Sequence, residues 1–212
     1  MMYDGEFLDV DEIRVPRPLY YCIVDLKAKK DTVVILRDLQ SAYPKAVTEE
    51  QKDVQNVLGP INLDITARAT KAFSDGNAEE LGKLMIEAQK HFDRAGQGVC
   101  PSQLTAPNLH KVLTLPSLKP HIWGAKGVGS QGDGCAQLLC RSAADQEAAI
   151  QLVTRELGKT VATATMDDLE RALQEQNGLD GNGREVELTP VELAAWLVED
   201  ALHGLPPVQR PS

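Results

Sequence analysis

Apolar positions along this chain follow two rhythms. LYYCIVDL (residues 19–26) is an unbroken run of aromatic and β-branched residues, which predicts a buried strand. LKAKKDT continues it as a polar turn, and TVVILRDL (32–39) fits either a strand or the start of a helix. From Thr48 the period becomes helical: Val54, Val57, Leu58, Ile61, Ile65, Ala69 and Phe73 recur at three- and four-residue steps. Gly59-Pro60 interrupts them and predicts a kink or two helices. The next helix has the strongest signals. Asn77 caps it, Glu80 completes a capping box, and Leu81, Leu84, Met85, Ala88, Phe92 and Ala95 form one stripe before Gly96 and Gly98 end it.

Residues 101–120 place leucines between prolines, which predicts a short helix under a loop. PHIWGAKGVGSQGDGCAQLLCR (120–141) reads as strand, glycine-rich loop, strand. Ser142 and Asp145 open a further helix with Ile150, Val153 and Leu157 facing inward and Gly158 as its stop. TVATATM (160–166) alternates like a half-buried strand. Beyond it come a short charged helix, the turn-rich NGLDGNGRE (177–185), and an amphipathic helix opened by Thr189-Pro190-Val191-Glu192. The expected fold is α+β: a mostly antiparallel sheet of about four strands (19–26, 121–128, 134–141 and 160–166) with helices on one face.

Composition narrows the classes. With 42% apolar and 25% charged residues over 212 positions, the chain is globular rather than disordered. A net charge of −9 opposes diffuse binding to a phosphate backbone, so no nucleic-acid partner is expected. No apolar run approaches the roughly 18 residues of a membrane span. The acidic N-terminus MMYDGEFLDVDEIR lacks the features of a signal peptide, so the expectation is a soluble cytoplasmic protein with no membrane partner. Cys22, Cys100, Cys135 and Cys140 form no CxxC pair; Cys22 and Cys135, in apolar runs, read as small buried hydrophobes. Neither HExxH nor GxSxG occurs, and no metal site is predicted.

The chemically informative stretch is Gly124 to Gly134, with five glycines in eleven residues. Glycine permits positive φ and close backbone approach, so successive amides there can form a concave anion site; a tight hairpin needing positive φ is the plainer reading. Gly127-x-Gly129-x-x-Gly132 matches the letters of a dinucleotide fingerprint, yet a strand follows rather than a helix. Lys126 precedes the glycines, which excludes a P-loop.

KGVGSQGDGC (126–135) resembles the third motif of the GHMP kinases, the superfamily of galactokinase, homoserine kinase, mevalonate kinase and phosphomevalonate kinase. Lys126, Gly129, Ser130, Gly132, Asp133 and Gly134 match its shape, whereas Gly127, Val128 and Gln131 depart from it. LYYCIVDLKAKKDT (19–32) is similar to the strand and turn that open the C-terminal half of these kinases, and GNAEELGKLMIEAQKHF (76–92) to one of their helices. The resemblance is closest to sugar-kinase-like members. It implies a C-terminal GHMP kinase domain, ferredoxin-like, over residues 19–166, with 1–18 a remnant of the N-terminal half and 167–212 a helical extension.

It further implies a phosphate and substrate loop made of Lys126, Gly127, Gly129, Ser130, Gln131, Gly132, Asp133 and Gly134. Lys30 and Thr32 would flank the substrate, from the basic spot that also holds Lys27 and Lys29. Asp133 is expected to orient the loop through its own backbone. The superfamily's main nucleotide loop and catalytic aspartate have no counterpart here, so no catalytic residue is assigned. ATP and Mg2+ are the implied cofactors, bound weakly by this chain alone. The implied partners are a small-molecule substrate, in the first place a sugar, and a complementary N-terminal kinase half without which the chain is inactive. The alternative is a non-catalytic interaction or ligand-binding module derived from such a kinase.

Overall fold

The computed structural model describes residues 13–165 together with a strand pair near the N-terminus, β1 (Met2–Tyr3) and β2 (Leu8–Asp9). The expectations for residues 167–212 lie outside the described residues. Strands β3 (Tyr20–Asp25), β4 (Ile122–Gly127), β5 (Cys135–Cys140) and β6 (Thr160–Thr165) build one antiparallel sheet in the order β4-β5-β3-β6. They coincide with the four expected strands. The register pairs Tyr20 with Cys140 and with Thr165, and Gly127 with Ala136, with an irregularity between Ile122 and Gly124.

Paired residues share a face of an antiparallel sheet. Cys22, Val24, Leu138 and Cys140 therefore lie on one face, where they pack with Leu109 and Val112 of α6 (Pro107–Leu113) and Ala149 and Val153 of α7 (Ala143–Leu157). Tyr21 and Leu139 lie on the other, against Ile65 and Ala72 of α3 (Asn62–Ser74) and Leu81, Leu84 and Met85 of α4 (Ala78–Val99). The helices thus divide between both faces rather than covering one. The unbroken apolar run of β3 reflects this, because a strand covered on both sides has no polar face to show.

The ambiguous segment after β3 is a helix, α1 (Thr32–Gln40), because the Asp31 side chain accepts the Val34 N–H and caps it. Thr48 and Gln51 form a capping box for α2 (Glu49–Asn56). The Gly59-Pro60 break appears as a single wide turn, Val57–Ile61, before α3. Helix α4 does not stop at Gly96 but runs to Val99. Gly96 serves close packing instead: a Cβ there would lie 2.7 Å from Leu104 Cδ1 of the short helix α5 (Pro101–Leu104). The expected single helix over 101–120 is three short pieces, α5, α6 and a 3-10 turn at Pro116–Leu118. Ser142 caps α7 and Gly158, at φ +60°, ends it.

The tightest joint is between α4 and β4. A Cβ on Gly124 would come within 2.0 Å of the Gly82 carbonyl oxygen, and one on Gly82 within 2.4 Å of the Trp123 carbonyl carbon. Two glycines let helix and edge strand touch backbone to backbone. Of the cysteines, Cys22, Cys100 and Cys140 are buried, and Cys135 is only half-buried. Cys22 and Cys140 sulfurs lie 3.7 Å apart in the core.

Candidate functional site

The glycine loop joins β4 to β5, so it is a hairpin connection and not a strand-to-helix turn. The Val128 N–H donates to the Cys135 carbonyl (3.1 Å), and the Gln131 N–H closes a turn on the Val128 carbonyl (3.0 Å). Gly129, Gln131 and Gly132 hold φ of +58°, +64° and +69°. Positive φ at these three positions breaks the ladder pairing of the hairpin and leaves neighbouring amides open to a ligand. The amides of Gly129, Ser130 and Gly132 donate to no acceptor among the described residues. The Ser130 hydroxyl is buried without a hydrogen-bond partner among them. A buried donor with no partner carries a desolvation cost that a ligand oxygen would relieve.

Asp133 does not orient its own loop, contrary to expectation. Its carboxylate reaches α6: Oδ1 accepts the backbone N–H groups of Asn108 and Leu109 (2.9 Å each), and Oδ2 accepts from Asn108 Nδ2 (2.8 Å). The reason lies in α6. Its N-cap position is Ala106, at φ +38°, which has no side chain to cap with. The open amides are satisfied from 25 residues away. Asp133 thereby clamps the loop to the helix.

Lys126 is half-buried, its ammonium donates to the Gly127 carbonyl (2.8 Å), and burial lowers its pKa. Gln131 is buried and folds back over Gly127, where its Oε1 would lie 2.6 Å from a Cβ. A side chain at Gly127 would push the end of Gln131 aside. The cation that reaches the glycines is Lys30: its Cδ would lie 2.8 Å, and its Nζ 3.0 Å, from a Cβ on Gly134. Gly132 sits between Ile35 of α1 and the Gln103 carbonyl, each 3.3 Å from a Cβ position. Thr32 opens α1 and stays exposed, as do Lys27 and Lys29.

Three supporting residues escaped sequence reasoning. Asn108 binds Asp133, Gln103 accepts the Asp31 N–H through its side chain (2.9 Å), and Gln89 accepts the Gly127 N–H (2.6 Å). Only Asn108 had a sequence signal, since Ala106-Pro107 starts a helix with no capping side chain. Gln89 sits in the apolar face of α4 and is 5% exposed. A glutamine there marks a polar contact, but not its partner 38 residues on.

Three amides and one hydroxyl without a partner among the described residues lie in one turn, with the Lys30 ammonium beside Gly134. This arrangement suits an oxyanion. Among the described residues no three His, Cys, Asp or Glu converge, and both oxygens of Asp133 are engaged, so the residues present do not fit a Mg2+ ion. None of the described helices is long and apolar enough to cross a membrane.

No family model and no curated protein matches the sequence. Solved structures do match. The Lin0012 protein from Listeria innocua shares 18% identity at a TM-score of 0.59, covering 74% of this chain and 42% of that one. The L. major mevalonate kinase in complex with R-mevalonate shares 18% identity at a TM-score of 0.55, covering 73% and 44%. The Streptococcus pneumoniae phosphomevalonate kinase shares 12% identity at 0.53, covering 74% and 43%. At these identities the likeness establishes the fold: the described domain has a GHMP kinase-like fold. The chain spans less than half the length of the structures it matches.

Proposed function

We propose that this chain is the C-terminal domain of an ATP-dependent small-molecule kinase, acting on a sugar, and that its glycine loop holds the transferred phosphate. The observation that carries the reading is the loop itself: the amides of Gly129, Ser130 and Gly132, which find no acceptor among the described residues, the buried Ser130 hydroxyl, and Lys30 beside Gly134. Phosphoryl transfer depends chiefly on positioning and charge stabilisation. Bound ATP would supply the phosphoryl group.

The amides would donate to phosphate oxygens, and Lys30 would offset their growing charge. Because Asp133 ties the loop to α6 and Gly132 is wedged against Ile35, these donors are held before the ligand arrives. No step here is assigned to a metal. The remaining contacts with ATP, and the catalytic base, would come from a complementary N-terminal kinase half.

Two experiments test this. Inorganic tripolyphosphate titrated into the 15N-labelled chain should shift the Gly129, Ser130 and Gly132 amides saturably, and Lys30→Met should weaken that binding about tenfold, as expected for one lost charge-assisted contact. Unmoved loop amides would overturn the phosphate assignment. Mixing the chain with the N-terminal half of a sugar-kinase-like relative should yield sugar-dependent ATP consumption that neither half shows alone. No gain on mixing counts against the kinase reading.

A further inference from the structure

A second site lies away from the loop. A cleft of about 560 Å³ runs along the outer edge of β4, between α4 and α6. That volume is typical of small-molecule pockets. β4 is an edge strand, so its outward backbone groups have no strand neighbour. At Gly127 they are closed by side chains, with Gln89 accepting the N–H and Lys126 donating to the carbonyl. Ala125, two residues earlier, presents its N–H and carbonyl to the same side, into the cleft.

The lining is of mixed character. Lys90, Lys119 and Arg141 bring three cations against one carboxylate, Asp93, in a chain of net charge −9. Asp93 is already engaged, accepting from Gln89 Nε2 at 2.7 Å. His110 Nε2 stands 3.6 Å from the same oxygen, buried, with no hydrogen-bond partner among the described residues. Apolar walls complete the cleft, including Ile86, which leaves 53% of its surface open, and Trp123, whose ring carries Arg141 at 4.1 Å.

We infer that this cleft binds a small organic anion with a flat apolar body. The anionic end meets Lys90 and Lys119, the body lies on Ile86 and Trp123, and the Ala125 backbone and His110 Nε2 supply hydrogen bonds. Nothing in this assignment depends on the glycine loop holding phosphate.

Phenyl phosphate is the probe, titrated into the full 15N-labelled chain. Saturable shifts of the Trp123 indole N–H and the Ala125 amide are expected. Lys90→Gln combined with Lys119→Gln should raise the Kd about tenfold, the effect of a lost charge-assisted contact. Both lysines are exposed, so the variant keeps the fold. Lys30→Met should leave this binding unchanged. Shifts confined to Gly129–Gly132 and abolished by Lys30→Met would place the ligand at the loop and overturn the cleft assignment. Equal shifts with uncharged benzyl alcohol would overturn anion recognition, and no shift at about 10 mM would overturn the site.

Discussion

Replacing Asp133 by alanine tests the joint between the glycine loop and α6. The carboxylate accepts three hydrogen bonds, from the Asn108 and Leu109 backbone and from Asn108 Nδ2. Hydrogen bonds to a charged group contribute about 1.5–3 kcal/mol each. Asp133 and Asn108 are only half-buried, so water can reach the abandoned donors, and each bond contributes nearer the typical net value of about 1 kcal/mol. The expected loss is about 3–4 kcal/mol for Asp133→Ala. With a urea m-value of about 2 kcal/mol/M, the unfolding midpoint falls by about 1.5–2 M.

Asp133→Asn retains an oxygen for the two backbone amides but turns its NH2 toward Asn108 Nδ2, donor against donor, and should lose about half as much. Asn108→Ala removes one bond, about 1 kcal/mol. Because these side chains share a bond, the double variant Asp133→Ala/Asn108→Ala should be less destabilised than the two singles added together. Urea titrations followed by circular dichroism measure all four chains. An unfolding free energy for Asp133→Ala within about 0.5 kcal/mol of wild type, or one equal to that of Asp133→Asn, would show that the clamp contributes nothing specific.

Two further outcomes follow from packing and charge. Gly82→Ala and Gly124→Ala each drive a Cβ into backbone, at 2.4 and 2.0 Å, and should each cost about 2 kcal/mol or more even after the gain from replacing glycine. Gly96→Ala meets side chains alone, the end of Leu104 and the edge of the Phe92 ring, and should cost less, about 1 kcal/mol; thermal unfolding that ranks Gly82→Ala no worse than Gly96→Ala refutes the contact argument. For Asp93, burial outweighs the Gln89 hydrogen bond and the nearby His110 charge and holds the carboxyl above its ordinary value. The folded state then binds the proton more tightly than the unfolded one, so wild type loses stability as pH rises from the unfolded toward the folded pKa. Asp93→Asn lacks this titration, and its stability relative to wild type should rise as pH climbs above the ordinary carboxylate range of about 4; parallel pH curves would refute the assigned shift.

Local order was written plainly in the residues. All four strands, the Asn77, Ser142 and Gly158 helix boundaries and the Gly59-Pro60 break follow from short-range sterics and capping, which depend on residues a few positions apart. The loop too was visible, because five glycines within eleven residues signal unusual backbone angles whatever surrounds them. What the loop does with its side chains was not. Sequence order put Lys126 beside the glycines, whereas folding spends that ammonium on the Gly127 carbonyl and brings in Lys30 from beyond the end of β3, where Asp25 pairs with Cys135. Asp133 reads as a turn residue, yet it caps a helix that lacks its own cap. Gln89 and the cleft beside β4 exist only because two glycines allow α4 to lie on the edge strand. Backbone conformation is decided by neighbours along the chain; the partner of a charge or an amide is decided by whichever group the packed sheet and helices deliver within three ångströms, and that distance has no counterpart in sequence spacing.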